Sequence, residues 1–87
     1  MKFRLSSHAA WEMERRGIPN AMLEAVLNSS EQRVPDEAHA RRWIYQSRVR
    51  FDDGKLYLLR IVVTEEEPRT VITAYRTGKI EKYWRAE

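Results

Sequence analysis

The sequence predicts an α+β fold in which two amino-terminal helices pack on a curved antiparallel sheet of about four strands. Apolar residues recur at helical spacing in the first third of the chain, whereas the hydrophobic period changes to two from Gln32 onward. The three glycines and three prolines fall singly between these segments. We therefore predict a single domain that spans residues 1–87.

Two helices are expected before residue 30. Ser6 or Ser7 can cap the first helix, which runs to about Arg16, and Gly17 suits the left-handed conformation that often ends a helix. The second helix is expected from position 19 or 20 to about position 28, and it carries more apolar mass than the first.

The remainder of the chain is predicted to form the sheet. Three long strands are expected at positions 41–51, 55–64 and 69–76. The second of these strands is apolar on both faces except for Arg60. Residues 32–35 can add a short edge strand, and residues 78–84 fit either a short strand or an irregular segment.

The loop at Asp52-Asp53-Gly54 sets the register of the first two long strands. A three-residue loop aligns Tyr45 with Ile61 and keeps apolar residues together. A two-residue turn would instead pair Arg60 with Ser47. We choose the three-residue loop because it separates apolar from polar side chains.

A four-residue turn between the second and third long strands would place Arg60 opposite Thr73, and Ile61 beside Ile72. The face beneath the helices is then expected to carry Trp43, Tyr45, Val49, Tyr57, Leu59, Ile61, Val63, Ile72 and Ala74. The opposite, polar face is expected to carry Gln46, Arg48, Arg50, Arg60, Thr73 and Tyr75.

This polar face is the candidate binding site. Three guanidinium groups next to a hydroxyl and a phenol can hold a phosphodiester, and tyrosine can stack on a base. Arg60 is the sharpest candidate, because a charge within an apolar strand must reach solvent or a partner. The structural alternative is that Arg60 pairs with a glutamate of the following turn or with a carboxylate at the sheet edge.

The amino-acid composition limits the partners and reactions that are compatible with this protein. Sixteen lysines and arginines against thirteen acidic residues give a modest net charge of +3. Twelve of the sixteen cations are arginines, a bias that favours an anionic partner, although arginine also suits ordinary surface ion pairs. The chain has no cysteine, which excludes thiol chemistry and makes the reducing cytoplasm the expected compartment. No apolar run reaches the roughly 18–20 residues that cross a membrane. His8 and His39 have no metal-binding spacing, so we expect neither a metal nor a cofactor.

Metal-free cleavage of RNA by its own 2′-hydroxyl remains compatible with these residues. His8 lies at the start of the first predicted helix, where the helix dipole disfavours imidazolium and keeps the ring ready to accept a proton. It is therefore the candidate acid or base. The alternative is that His8 is an ordinary surface or capping residue.

Two segments resemble a family of small bacterial domains. Residues 7–18 are similar to its signature, His-Ala-x-x-Arg-Met-x-x-Arg-Gly-Ile, and residues 71–76 resemble its last core strand. The family is grouped with RelE- and BrnT-like toxins and with ribonucleases of the barnase, EndoU and colicin type. The resemblance implies helices followed by a curved antiparallel sheet. Glu12 stands where the family more often has arginine.

By this resemblance, His8 corresponds to the helix histidine and Arg16 to the arginine before Gly-Ile. Thr73 and Tyr75 correspond to the hydroxyl residues of the last strand, and Arg76 follows them. The implied function is a metal-independent endoribonuclease of toxin-antitoxin type, with RNA as substrate and a protein antitoxin as partner.

The resulting hypothesis assigns catalysis to His8, Arg60, Thr73 and Tyr75, and RNA binding to Arg16, Arg48, Arg50 and Arg76. In it, the Arg60 guanidinium neutralises the scissile phosphate. Two alternatives are a non-catalytic module of the same fold that binds RNA or a protein, and a small subunit with a structural role.

Overall fold

The computed structural model describes residues 3–86, which form one sheet with two helices on one face and a short helix near its carboxyl end. The helices are α1 (Ser7–Arg16), α2 (Asn20–Asn28) and α3 (Ile80–Tyr83). The strands are β1 (Arg4–Leu5), β2 (Gln32–Pro35), β3 (Arg42–Arg50), β4 (Leu56–Thr64) and β5 (Thr70–Thr77). The predicted α+β class is confirmed. No helix within residues 3–86 is long and apolar enough to span a bilayer.

Helix α1 begins and ends as the sequence predicts. The Ser6 side chain accepts a hydrogen bond of 3.0 Å from the Ala9 amide, which satisfies one of the free donors of the first turn. Gly17 ends the helix with a φ of 65°, in the left-handed region. Helix α2 follows at Asn20 and buries Leu23, Val26 and Leu27.

The sheet contains five strands in the order β1-β5-β4-β3-β2. Strand β1 runs parallel to β5, pairing Arg4 with Thr70, and the other neighbours are antiparallel. The sequence predicts about four strands because two residues are too few to show a strand period. The short edge strand expected at residues 32–35 is confirmed as β2.

The predicted register between β3 and β4 is confirmed. Tyr45 pairs with Ile61 and Val49 with Tyr57. The three-residue loop is closed by a bond of 3.0 Å from the Phe51 amide to the Lys55 carbonyl. Gly54 has a φ of 80°, which only glycine adopts without strain.

The predicted register between β4 and β5 is wrong by two residues. Arg60 pairs with Tyr75 rather than with Thr73, and Ile61 pairs with Ala74. Two features contribute one residue each. The turn between Thr64 and Thr70 has five residues instead of the predicted four. A bulge follows it, where Val62 pairs with Thr73 and Val63 with Val71, which leaves Ile72 as an extra residue on β5. A shift of two residues preserves the faces, so Arg60 and Tyr75 still lie on the same side of the sheet.

The main core lies between the helices and the sheet. Its members are Ala9, Met13, Ile18, Leu23, Val26, Leu27, Tyr45, Phe51, Leu59, Ile61, Val63, Val71 and Ala74. Ile72 is predicted here but packs on the opposite face, because the bulge turns it away and gives its place to Val71. On that opposite face Ile72 contacts a small apolar cluster of Val34, Ile44 and Val62.

Candidate functional site

Arg60 lies in the middle of the sheet, on the face away from α1 and α2. Its neighbours Leu59 and Ile61 are fully buried beneath the helices, so alternation along β4 directs Arg60 to the polar face. The residue is nevertheless only 8% exposed. Residues from β3, β5 and the carboxyl-terminal segment surround its guanidinium group.

Neutral groups satisfy this buried guanidinium. Its Nε donates a hydrogen bond of 2.9 Å to Gln46 Oε1, and its Nη1 donates one of 2.6 Å to the Tyr75 hydroxyl. The guanidinium carbon lies 4.2 Å from the centre of the Tyr83 ring, a distance suited to a cation–π interaction. Within residues 3–86, no aspartate or glutamate forms an ion pair with Arg60.

The alternative in which Arg60 pairs with a turn glutamate is therefore not the arrangement found. Glu65 and Glu66 instead face the Arg41 guanidinium, and Glu67 pairs with Arg69. The reason is distance along the strand, since a strand rises about 3.3 Å per residue and the turn begins five residues after Arg60.

A short stretch of backbone, residues 83–85, covers part of the polar face, and we call it the tail segment. Gln46 is fully buried, and its Nε2 donates to the Tyr83 carbonyl at 3.1 Å. The Gln32 side chain forms two hydrogen bonds with the Arg85 backbone. Its Nε2 donates to the Arg85 carbonyl at 2.7 Å, and its Oε1 accepts from the Arg85 amide at 3.1 Å. The Trp84 ring lies 4.3 Å from the Arg48 guanidinium carbon.

A cavity of about 390 Å³ opens beside Arg60 at the end of the tail segment. Val34, Pro35 and Ile44 are apolar residues of its lining. Lys82 and Arg85 add cationic groups to the lining, and Asp36 and Glu37 add carboxylates. The site therefore combines a buried guanidinium, a phenol, charged groups of both signs and an accessible space.

Eight residues are predicted for the site. The structure brings four of them together on one face, namely Arg48, Arg60, Thr73 and Tyr75, and it places a fifth, Arg50, at the margin of this group. Arg60 contacts Tyr75 directly, and Thr73 shares their side of the sheet by alternation along β5. Arg48 lies on the same face and pairs with Glu31 at 2.7 Å. Arg50 is exposed at the end of β3, where it donates to the Gly54 carbonyl at 2.6 Å.

His8 is not part of this cluster. Its helix packs on the helix-covered face through Ala9 and Met13, so the sheet separates His8 from Arg60. His8 is exposed in the first turn of α1, and its ring centre lies 6.4 Å from that of Trp11. The expectation that His8 and Arg60 act on one phosphate is contradicted by this geometry.

Arg16 and Arg76 also lie away from the polar face. Arg16 donates a hydrogen bond of 2.8 Å to the Ala74 carbonyl, which ties α1 to β5. Arg76 is the neighbour of Tyr75 on β5, and its guanidinium lies against the rings of Phe51 and Tyr57 on the helix side. Arg16 and Arg76 therefore make packing and tethering contacts apart from Arg60, and their assignment to RNA binding stays a prediction.

Glu12 has a structural role in α1. Its side chain is buried and forms ion pairs with Arg15 and Arg16, the arginines three and four residues later. Hydrogen bonds from Arg15 hold the pKa of Glu12 below its ordinary value, against the opposing effect of burial. The Glu12 carboxylate therefore offsets the positive charge of Arg15 and Arg16 in the last turn.

Sequence reasoning missed the contribution of the tail segment and its partners. The sequence predicts Gln46 on the polar face without a role there, and it does not indicate that Gln32 and Tyr83 belong to the site. The available signal is the aromatic pair Tyr83-Trp84 next to Lys82, a combination of ring and charge that favours a cation–π contact.

Comparison of the chain with protein-family models, with curated proteins and with solved structures finds no significant match. Within the described residues, no three histidine, aspartate or glutamate side chains are grouped so that they could hold a metal ion. The functional argument therefore rests on the chemistry of the polar face.

Proposed function

We propose that the protein is a metal-independent endoribonuclease of toxin type, with an architecture similar to RelE and BrnT toxins, and that Arg60 binds the scissile phosphate. The observation that carries the proposal is the buried Arg60 guanidinium, which has hydrogen-bond partners but no carboxylate partner among residues 3–86. A guanidinium remains charged in proteins, and two of its N–H groups can donate hydrogen bonds to two oxygens of one phosphate. An anionic ligand would therefore supply the direct ion-pair partner that Arg60 does not have among residues 3–86.

The reaction fits these groups. The RNA 2′-oxygen attacks the adjacent phosphorus and the bond from phosphorus to the 5′-oxygen breaks, which leaves a 2′,3′-cyclic phosphate and a 5′-hydroxyl. The 2′-hydroxyl proton passes to solvent, and Arg60 stabilises the negative charge that develops on the phosphoryl oxygens. The Tyr75 oxygen accepts a bond from Arg60, so its own proton is free to be donated to the leaving 5′-oxygen.

The remaining groups of the polar face bind and orient the substrate in this proposal. Thr73 offers a hydroxyl on the strand that carries Tyr75, and Arg48 and Arg50 follow β3 towards the hairpin. Positive charge along a strand suits the repeating charge of an RNA backbone. A protein antitoxin would cover the same surface with an acidic segment, and the enzyme would act in the cytoplasm, where RNA is abundant.

A non-catalytic RNA-binding module is the second candidate. The observation that favours it is the position of His8 behind the sheet, which separates the candidate acid or base from Arg60. Binding by the polar face needs only the charges and rings already described.

Purified protein incubated with total RNA in EDTA tests both candidates. We expect cleavage that yields 2′,3′-cyclic phosphate ends, lost in Arg60→Gln and reduced in Tyr75→Phe. Lys55→Gln removes the same charge from the exposed hairpin and His8→Ala removes the histidine, and both variants should cleave normally. Circular dichroism establishes that each variant is folded.

The outcomes separate the candidates. RNA binding that depends on Arg60 without any cleavage would favour the binding module. Cleavage or binding by Arg60→Gln at the wild-type level would refute the phosphate site, and loss of cleavage in His8→Ala would move the chemistry to the helix side of the sheet.

A further inference from the structure

We infer that the surface beneath the tail segment is a site for two consecutive nucleotides of single-stranded RNA, which the tail segment occupies in their absence. The inference rests on the proposed function and adds the form of RNA that the site accepts. It is carried by what the tail segment presents to the sheet, namely carbonyl oxygens and two consecutive aromatic rings.

The carbonyl oxygens take hydrogen bonds that a phosphate oxygen could take. Gln46 Nε2 donates to the Tyr83 carbonyl at 3.1 Å, and Gln32 Nε2 donates to the Arg85 carbonyl at 2.7 Å. Amide side chains are common donors to nucleic-acid backbones. The two glutamines are joined by a bond of 2.8 Å between Gln46 Nε2 and Gln32 Oε1, so their donors lie close together.

The aromatic rings occupy positions that nucleobases could occupy. The Tyr83 ring lies 4.2 Å from the Arg60 guanidinium carbon, and the Trp84 ring lies 4.3 Å from that of Arg48. Bases of single-stranded RNA stack on arginine planes in the same manner. Gln46 pairs with Arg60 across the strands, so Arg48 is the diagonal neighbour of Arg60, roughly 7–8 Å away by sheet geometry.

Displacement of the tail segment breaks one partly buried hydrogen bond, from Gln46 Nε2 to the Tyr83 carbonyl, and otherwise mainly exposed contacts. Its ion pair, from Arg85 to Glu37 at 3.3 Å, joins two exposed side chains and contributes little. Its hydrogen bonds to Gln32 are also solvent-exposed. An RNA strand would bring phosphate charge to Arg60, which the uncharged rings and carbonyls do not offer. Paired bases in a duplex could not reach the guanidinium planes, so the site selects single strands.

The test uses the full chain and a fluorescein-labelled 2′-O-methyl decauridine, which cannot be cleaved because its 2′-oxygen is methylated. Fluorescence anisotropy measures its affinity for wild type, for the double variant Tyr83→Ala/Trp84→Ala, and for Trp11→Ala. Trp11 is a matched control because it is 59% exposed on α1, on the other side of the sheet. We expect the double variant to bind roughly tenfold more tightly, since two cation–π contacts no longer compete, and Trp11→Ala to bind like wild type.

Unchanged or weaker binding by a folded double variant would overturn the inference, since weaker binding would mean that the rings themselves stack on RNA. A second measurement does not depend on that variant. In Trp11→Phe/Trp43→Phe, Trp84 is the remaining tryptophan, and its emission should shift towards that of exposed indole when the decauridine binds. An unshifted emission at saturating RNA would also overturn it.

Arg60→Gln separates this inference from the proposed function. If that variant loses RNA binding while the double variant gains none, the two-nucleotide site is refuted and the phosphate site stands. If Arg60→Gln binds the decauridine like wild type, both are refuted.

Discussion

Replacement of Tyr75 by phenylalanine measures how strongly the buried Arg60 depends on its phenol partner. The change removes the oxygen that accepts the 2.6 Å hydrogen bond from Arg60 Nη1 and keeps the aromatic ring. A hydrogen bond to a charged group is worth about 1.5–3 kcal/mol. Gln46 and the Tyr83 ring still contact Arg60, so we expect a loss of about 2 kcal/mol.

Urea unfolding followed by circular dichroism measures the loss in the free energy of unfolding. In thermal unfolding, a loss of about 2 kcal/mol should lower the melting temperature by roughly 8–16 °C in a domain of this size. Tyr57→Phe is the matched control, because the Tyr57 hydroxyl donates to Asp53 Oδ2 at 2.5 Å in the exposed hairpin. Its loss should be clearly smaller, since water replaces an exposed partner.

A double-mutant cycle with Arg60→Met isolates the coupling between the two side chains. In the Arg60→Met background, Tyr75→Phe should cost much less than it does in the wild type. A loss below about 0.5 kcal/mol in the wild-type background would refute the reasoning, because such a value is typical of a surface change. Water would then serve Arg60 as well as the phenol does.

Three further predictions concern the fold. Leu59→Ala should lower the free energy of unfolding by about 2–5 kcal/mol in urea, because Leu59 is fully buried in the main core. Gly17→Ala should cost about 1–2 kcal/mol in thermal unfolding, since φ is 65° and the added Cβ meets no atom within 4 Å, so that the whole cost is backbone strain. In Glu12→Gln, the free energy of unfolding should decrease less than in the wild type as the pH falls into the acid range. The pKa of Glu12 is lowered by Arg15, so its contribution is complete above the ordinary glutamate pKa of about 4.3 and is lost as the pH falls through the lower folded value. Urea unfolding of both proteins at several pH values compares the slopes; equal slopes would contradict this assignment.

The sequence is most informative where one short loop decides the pairing. The Asp52-Asp53-Gly54 loop allows two registers, and the requirement that apolar residues share a face selects the observed one. The same reasoning fails at β5, because a bulge inserts Ile72 without any glycine or proline to mark it. Pattern alone cannot reveal an extra residue whose apolar side chain finds a second apolar cluster on the other face.

Prediction of the candidate site likewise succeeds where strand alternation decides and fails elsewhere. Alternation along β4 is enough to put Arg60 on the polar face, and the two-residue error leaves Tyr75 beside it. His8 is predicted from its helix position and a resemblance, although its helix is expected to cover the other face. Residues 78–84 are predicted as a short strand or an irregular segment, whereas the structure has the four-residue helix α3 there. Such a short helix has too little local stability to be encoded locally, and contacts of Tyr83 and Trp84 with the sheet determine its place.

The parallel pairing of β1 with β5 has a consequence for synthesis. The Ser6 hydroxyl donates to the Ile72 carbonyl across 66 positions, so β1 can pair only after β5 has been synthesised. Both helices leave the ribosome before β2 to β5, and long-range pairing of this kind slows folding. Tyr83 follows all five strands, so Arg60 acquires its aromatic cover only after the whole sheet has been synthesised.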